Sequence, residues 1–249
     1  MFKSYEFGYH WMVGYGLAIP FVLAAALGAV ALWRGWPRWI VALTAIIAVW
    51  ALAGIFMVNV VWGINRPMTL PTERFLASGA GSVLDVGAGS GRAAVGVLLA
   101  RPNARVTGVD IYSGFWGIND NTPERFMANA RIAGADTRAS ARVGDARKLP
   151  FPDASFDAVI SSYAIDHLRR EGQAQALGEV ARVVRPRGEF LLAIVEVDWQ
   201  ARMFSPHAMG HHPRRHPDHW RKLLQAAGFV LEEEGTQPAT RYFYARKRL

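Results

Sequence analysis

The 249-residue chain contains no cysteine. That absence excludes disulfides, thiolate metal sites and a cysteine nucleophile, and it leaves the redox compartment open. Charge is missing from two long stretches. No Asp, Glu, Lys or Arg lies between Glu6 and Arg34, and none between Arg38 and Arg66, which makes 27 residues in each case. A helix needs about 20 apolar residues to cross a bilayer core, so either stretch suffices. Acidic residues are the scarcer sign, 20 against 28 basic ones, for a net charge of +8. The first 66 residues supply +3 of this, from four basic residues and one acidic, and "ARKRL" closes the chain with more. Spread positive charge suits an anionic membrane surface. No basic stripe interleaved with aromatics and no nucleic-acid motif is present, so no nucleic-acid partner is expected. Internal repeats and low-complexity tracts are also absent.

The apolar N-terminus is too long for a signal peptide, whose hydrophobic region runs about 7–15 residues. A second apolar segment follows the first after only "RGWPR". Two spans joined by a tight charged turn read as a transmembrane helical hairpin, with helices near 10–33 and 39–62. Residues 1–65 would then form the anchor and 66–249 the catalytic domain. Trp11, Trp33, Trp36, Trp39 and Trp62 fall near the expected helix ends, where indoles favour the interface. Pro20 is expected to kink the first helix. Gly14, Gly16 and Gly28 allow close helix contact. The competing reading is a buried helical pair of a soluble protein. Arg34 and Arg38 in the turn nearly balance Lys3, Arg66 and Arg74 on the other side, so the charge count decides no orientation.

From about Pro71 strands alternate with helices. "SVLDVG", "ARVTGVD", "SARVGD", "FDAVISS" and "GEFLLAIVEV" read as strands. "GRAAVGVLLAR", "NTPERFMANARIAG", "EGQAQALGEVARVV" and "PDHWRKLLQAAG" read as helices, with Thr122 a candidate N-cap before Pro123. Such alternation implies a mostly parallel sheet covered on both faces. The closing strands "FVLEEEG" and "TRYFYARKR" are joined by a short loop and form an antiparallel pair.

Between the first strand and first helix of this region lie Gly87, Gly89 and Gly91. A glycine-rich strand-to-helix turn offers backbone N–H groups and a positive helix end to a polar or anionic ligand. The dinucleotide fingerprint is G-x-G-x-x-G/A, but its last position here is Arg92, too large for the helix–strand approach that version needs. Two acids complete a constellation. Asp110 ends the second strand, placed to accept both hydroxyls of a ribose. Asp145 ends the third in "VGDARKLPF", where an acceptor can take an adenine amino group. Each alone is an ordinary cap or turn residue; together they outline a nucleoside site at the carboxyl edge of the sheet.

In this combination the residues resemble the class I S-adenosylmethionine-dependent methyltransferases. "VLDVGAGSGR", "VTGVDIY", "GDARKLPFPDASFDAVISS" and "EVARVVRPRGEFLLAIV" carry the resemblance, which runs from about residue 75 to the end. It implies an α/β fold with a Rossmann-like seven-stranded sheet whose last strand is antiparallel. It also implies S-adenosylmethionine as cofactor. Asp85, Gly87, Gly89 and Gly91 would then hold the methionine part, Asp110 the ribose, Ile111 the adenine face, and Asp145 with Ala146 the adenine edge. The anchor departs from the common soluble pattern.

The sulfonium methyl is already activated, so the enzyme chiefly aligns a nucleophile and, where needed, removes a proton. "SSYAIDHL" supplies Tyr163 and His167, with His167 the preferred general base, against a plain packing role. "DWQARMFSPHAMGHHPRRHPDHW" holds His207, His211, His212, His216 and His219. Its prolines argue for a loop and its spacing gives no tidy metal pair, so a substrate-binding lid near the headgroups is expected rather than a metal site. Trp116 is expected to wall the pocket. The acceptor class that an anchor favours is hydrophobic or lipid-associated: a quinone or other isoprenoid, a lipid headgroup, or a small apolar molecule. The domain would face the cytoplasm, where the cofactor is made. Rival readings are a nicotinamide-dependent oxidoreductase and a non-catalytic membrane protein that binds the cofactor. If the hairpin only tethers, the site lies wholly beyond residue 65; if it builds part of the site, Tyr9, His10 and Trp11 are the residues near the pocket mouth.

Overall fold

The computed structural model describes residues 4–113, 119–204 and 216–249. Its N-terminal part is a helical hairpin. A short helix α1 (Trp11–Tyr15) leads through a turn at Gly16 into α2 (Ala18–Trp33), and α3 (Arg38–Phe56) returns. The expected helix over 10–33 is therefore broken, and not by Pro20. That residue sits in the first turn of α2, where no intrahelical N–H partner is required and the ring is tolerated. The two helices meet through small residues. Ala24, Ala31, Thr44 and Ala51 are buried, and a Cβ on Gly28 would lie 2.8 Å from the Thr44 hydroxyl. Leu23, Leu32, Trp33, Trp39, Ile46 and Val49 are exposed on the outside.

At its end α3 tightens into a π-helical turn, Met57–Val61, with Trp62 N–H bonded to the Met57 carbonyl. The continuous helix Arg38–Val61 has 24 residues and is long and apolar enough to cross a membrane; Ala18–Trp33 is a shorter apolar helix. At 1.5 Å per residue the two reach roughly 36 Å and 24 Å, against a hydrocarbon core of about 30 Å. The expectation of two full-length spans is corrected to one helix of spanning length and a shorter partner.

The remainder forms β1 (Ala80–Val86), α4 (Arg92–Ala100), β2 (Asn103–Asp110), α5 (Pro123–Ile132), β3 (Ala139–Val143), β4 (Phe156–Ser162), α6 (Arg170–Val183), β5 (Val184–Val195), α7 (Trp199–Phe204), α8 (Pro217–Ala226), β6 (Phe229–Gln237) and β7 (Thr240–Lys247). The strands make one seven-stranded sheet in the order β3-β2-β1-β4-β5-β7-β6. β1 to β5 run parallel, while β7 is antiparallel to both β5 and β6. Helices cover both faces. Ala93, Ala94, Val97 and Leu98 of α4 and Phe126 of α5 pack on one, and Leu177 and Val180 of α6 with Trp220 and Leu224 of α8 pack on the other. Along β1 the alternation of side chains sends Leu84 and Val86 to the α6 face and Val83 to the α4 face. Asp85, next but one to Val83, faces α4. The chain order reverses between β1 and β4, so the crevice at their carboxyl ends is where this architecture binds ligands.

Two local expectations shift. Thr122 is the N-cap of α5, accepting from Arg125 N–H at 3.2 Å, with Pro123 in the first turn. Asp145 does not end a strand. It lies two residues beyond β3, in an isolated bridge with Lys148. Helix α7 arises inside a stretch expected to be loop. Its Ala201 and Phe204 are buried, and a Cβ on Gly54 of α3 would come within 3.0 Å of Phe204.

Candidate active site at the carboxyl edge of the sheet

The turn after β1 is shaped before any ligand enters it. Gly87, Gly89 and Gly91 all have positive φ. At Gly87, with φ +74°, a Cβ would lie 2.1 Å from the Cβ of Ala164 across the crevice. At Gly91, with φ +86°, it would press to 2.8 Å from the Phe126 ring. Only glycine satisfies both the conformation and the approach. The space beside Gly91 is taken by Phe126, so the missing side chain lets the turn pack on α5.

Two carboxylates hold the turn. Asp85 is buried, and its Oδ2 accepts the Ala94 N–H at 2.9 Å in the first turn of α4. Its Oδ1 has no hydrogen-bond partner. Burial, reinforced by the neighbouring Asp110 charge, pushes the Asp85 carboxyl up to about 7 despite the opposing Ala94 bond. Asp110 accepts from Gly89 N–H at 3.0 Å through Oδ2 and from Tyr112 N–H at 2.7 Å through Oδ1, with Asn121 Nδ2 at 3.4 Å. Asp145 is paired with Arg147, at 2.5 Å to the guanidinium and 2.8 Å to its backbone N–H, and that pairing holds its carboxyl below the usual range.

These groups open onto one cavity of about 740 Å³. Its polar wall comprises Asp85, Gly87, Gly89, Asp110, Ile111, Asp145 and Ala146, together with Ser90, Ser113 and Asn121. Ile111 stands exposed there, as an apolar face for a planar ring. Tyr163 and His167, from the segment after β4, line the same cavity. Tyr163 has positive φ, its hydroxyl bonds the Thr240 hydroxyl, and burial raises its phenol above the ordinary value. A phenol so raised stays protonated near neutrality. His167 belongs to a 3₁₀ turn, Ile165–His167, whose Asp166 accepts the Val195 N–H at 3.0 Å.

Of the opposite wall, only Tyr9 was among the residues considered for the site from the sequence. Phe7, Tyr9, Val13, Val58, Trp62 and Ile64 line it, with Ala201 of α7 and Pro238 and Ala239 from the β6–β7 loop. The nucleoside-type residues all lie beyond residue 65, and the cavity extends from them to residues of the N-terminal segment. Of the three N-terminal residues considered, Tyr9 lines the cavity and His10 and Trp11 do not. The chain before α1 is clipped to the sheet half. Asn129 bonds Glu6 N–H at 3.0 Å and the Glu6 carbonyl at 2.8 Å, Ser90 bonds the Phe7 carbonyl at 3.0 Å, and Arg125 pairs with Glu6. The signals available in the sequence were the aromatics of "YEFGYHW" and the arginine at position 92.

Trp116, His207, His211 and His212 lie outside the described residues. Of the other histidines in that tract, His216 caps α8 through Asp218 N–H and His219 Nε2 lies 2.8 Å from Gln173 Oε1. Among the described residues no group of three or more His, Cys, Asp or Glu is placed to hold a metal ion.

Comparison with known proteins agrees with this geometry. Residues 83–188, from β1 into β5, match the model of the methyltransferase domain family. The chain thus carries an S-adenosylmethionine-dependent methyltransferase domain, and the polar wall belongs to it. Curated relatives include the 27-O-demethylrifamycin SV methyltransferase of Amycolatopsis mediterranei, 33% identical over 44% of this chain and 37% of that protein. The demethylmenaquinone methyltransferase of Tropheryma whipplei is 36% identical over 50% of this chain and 45% of its own length. The chain spans about half, or less, of the length of these relatives. The fold is that of an S-adenosylmethionine-dependent methyltransferase from Methanosarcina mazei, with a TM-score of 0.56 at 18% identity, covering 74% of this chain and 99% of that one.

Proposed function

We propose that this chain is a membrane-anchored methyltransferase that moves a methyl group from S-adenosylmethionine to an apolar acceptor presented at the bilayer surface. One observation carries the reading: a single cavity joins the polar wall of a methyltransferase domain to an apolar wall made by the feet of an apolar helical hairpin. Its volume falls within the roughly 300–1,000 Å³ of ligand sites.

The residues fit the cofactor. Asp85 Oδ1 is a buried acceptor without a partner, and the glycine turn leaves a cradle that a Cβ would fill. Asp85, Gly87 and Gly89 would hold the methionine end, Asp110 the ribose, Ile111 the adenine face, and Asp145 with Ala146 the adenine edge. When bound, S-adenosylmethionine supplies an electrophilic methyl that needs no further activation. His167 would take the proton of the attacking group, while Tyr163, protonated and fixed by Thr240, would orient it.

The exposed apolar side chains of α2 and α3 favour insertion of the hairpin in a bilayer, with α3 long enough to cross. Both feet of the hairpin are bonded to the sheet half, so the domain sits on one side, proposed as the cytoplasmic one. An acceptor in the quinone or isoprenoid class is supported by the names of relatives such as the demethylmenaquinone enzyme. The rifamycin relative favours a second class, a bulky apolar alcohol. The test is incubation of the detergent-solubilised protein with methyl-labelled S-adenosylmethionine and a total lipid extract, with mass spectrometry of the products. Label in an organic-soluble product supports the reading; label confined to water-soluble products overturns the acceptor class.

A further inference from the structure

Arg92 is the first residue of α4, directly after the glycine turn, and its side chain crosses to the apolar helix. Nε donates to the Arg66 carbonyl at 3.0 Å, and Nη2 donates to the carbonyls of Trp62 and Gly63 at 3.2 and 3.3 Å. The Trp62 carbonyl is that of the residue capping the π turn, and Gly63 and Arg66 follow it, the Gly63 carbonyl also accepting the Arg66 N–H at 2.9 Å. A helix leaves its last carbonyls without intrahelical partners and carries partial negative charge there, which a cation stabilises. Neither α3 nor the π turn has a basic residue in its own last turn. The cation comes instead from the cofactor turn, on another element.

The contact continues along α4. Met68 N–H bonds the Arg92 carbonyl at 3.1 Å, and Gly96 lies so close that a Cβ there would be 2.1 Å from the Met68 carbonyl oxygen. Residues 62–68 are thus laid on the helix that the glycine turn opens. Trp62 and Ile64 of the apolar wall belong to the segment so held, and Val58 of the same wall lies in the π turn that leads into it.

We propose that Arg92 is a positioning residue for the acceptor: by holding the carbonyls of Trp62, Gly63 and Arg66 it fixes the wall of Val58, Trp62 and Ile64, and thereby selects a molecule with an apolar tail. The inference rests on the methyltransferase reading and deepens its acceptor side. Arg92 itself lines the cavity and also bonds the Tyr163 side chain, so its hold on Trp62, Gly63 and Arg66 is one of two contacts it makes at the site. Its planar guanidinium serves several carbonyls at once, a geometry that a lysine ammonium reproduces only in part. Loss of the guanidinium frees the wall while leaving the backbone of the glycine turn and its carboxylates in place.

The test uses full-length protein in phosphatidylcholine vesicles containing a long-chain fatty acid with a mid-chain diazirine. After illumination, adducts at Phe7 and Val195, which line the cavity, are mapped by mass spectrometry. Calorimetry with S-adenosylmethionine runs alongside. Wild-type protein is expected to carry adducts at both residues. Arg92→Met is expected to lose them at least fivefold, with cofactor Kd changed less than threefold, and Arg92→Lys to recover at least half. Wild-type labelling in Arg92→Met, or a parallel collapse of cofactor binding, overturns the proposal, as does unlabelled wild-type protein. If Arg92→Met does not fold, Arg92→Gln replaces it, with at least a twofold loss expected and unchanged labelling contradicting the proposal. Loss of adducts in the variant together with no methyl transfer to any lipid by wild-type protein would sink the function and leave the positioning role standing.

Discussion

The two walls of the cavity are built by opposite means. The polar wall is mostly backbone and carboxylate, contributed by consecutive strand ends, and each residue in it has one conformation that suits it: glycine at positive φ, an aspartate caught by a turn. The apolar wall is gathered from Phe7, Tyr9 and Val13, from Val58, Trp62 and Ile64, from Pro238 and Ala239 and from Ala201 of α7. The first wall binds by directed hydrogen bonds, so small errors in it are costly. The second encloses by contact area, so it tolerates exchange of similar volumes but not filling. On the proposed function, the difference separates a methyl-donor side fixed by the sheet from an acceptor side fixed by the apolar hairpin.

The most severe way to break this division is at Gly87. Gly87→Ala adds a Cβ 2.1 Å from Ala164 at φ +74°. Strain and overpacking of roughly 1–3 kcal/mol each predict a loss of S-adenosylmethionine affinity of about a hundredfold by calorimetry. Unchanged affinity would remove the turn from the cofactor site. The apolar wall should fail differently. Val58→Trp fills the cavity beside Trp62 and is expected to lower acceptor turnover at least about tenfold while cofactor affinity stays within about twofold, since overpacking acts locally. Equal losses of both would show that the walls are not separable.

A subtler effect comes from Asp85, whose carboxyl stands at about 7. In the folded state it holds its proton across the range from about 4 to 7 where the unfolded chain has released it. Stability therefore falls as pH rises through that window and is level above it. A cationic group of the bound cofactor needs the ionised form, so affinity should rise with pH to a plateau above about 7, weakening up to about tenfold per unit below. Asp85→Asn should flatten both profiles, read by calorimetry and thermal melting; a persistent slope would assign the titration elsewhere. The smallest effect is the control. Thr122→Ala removes the α5 cap and should cost about 1 kcal/mol of stability without altering cofactor affinity; a changed affinity would tie α5 to the site.

The polar wall was legible because its signals are local. Three glycines in five residues, and acids at or near the ends of successive strands, can be read without knowing what packs on what. The mostly parallel sheet was legible from the alternation of strands and helices and the antiparallel closing pair from the short loop that joins its strands, whereas the strand order emerges only in three dimensions. The apolar wall was not legible, because Phe7, Val58 and Ala239 meet only in three dimensions and none has a residue type that marks a site. The break at Gly16 was hidden because Gly and Pro20 both disturb a helix and their positions relative to its first turn decide which prevails. The π turn gave no sequence signal at all. Arg92 was visible as a misfit to the dinucleotide fingerprint, and the misfit was informative: it marks the residue that reaches across to the end of the apolar hairpin.

The central claim is that the anchor builds the acceptor side of the active site. It is tested most directly by comparing full-length wild-type and Val58→Trp proteins in liposomes made with a total lipid extract, measuring methyl label from S-adenosylmethionine in the organic-soluble fraction. The account predicts label in that fraction with wild-type protein and at least a tenfold drop in the variant, at equal cofactor affinity, as expected of a filled cavity. Organic-soluble label undiminished by Val58→Trp would contradict it.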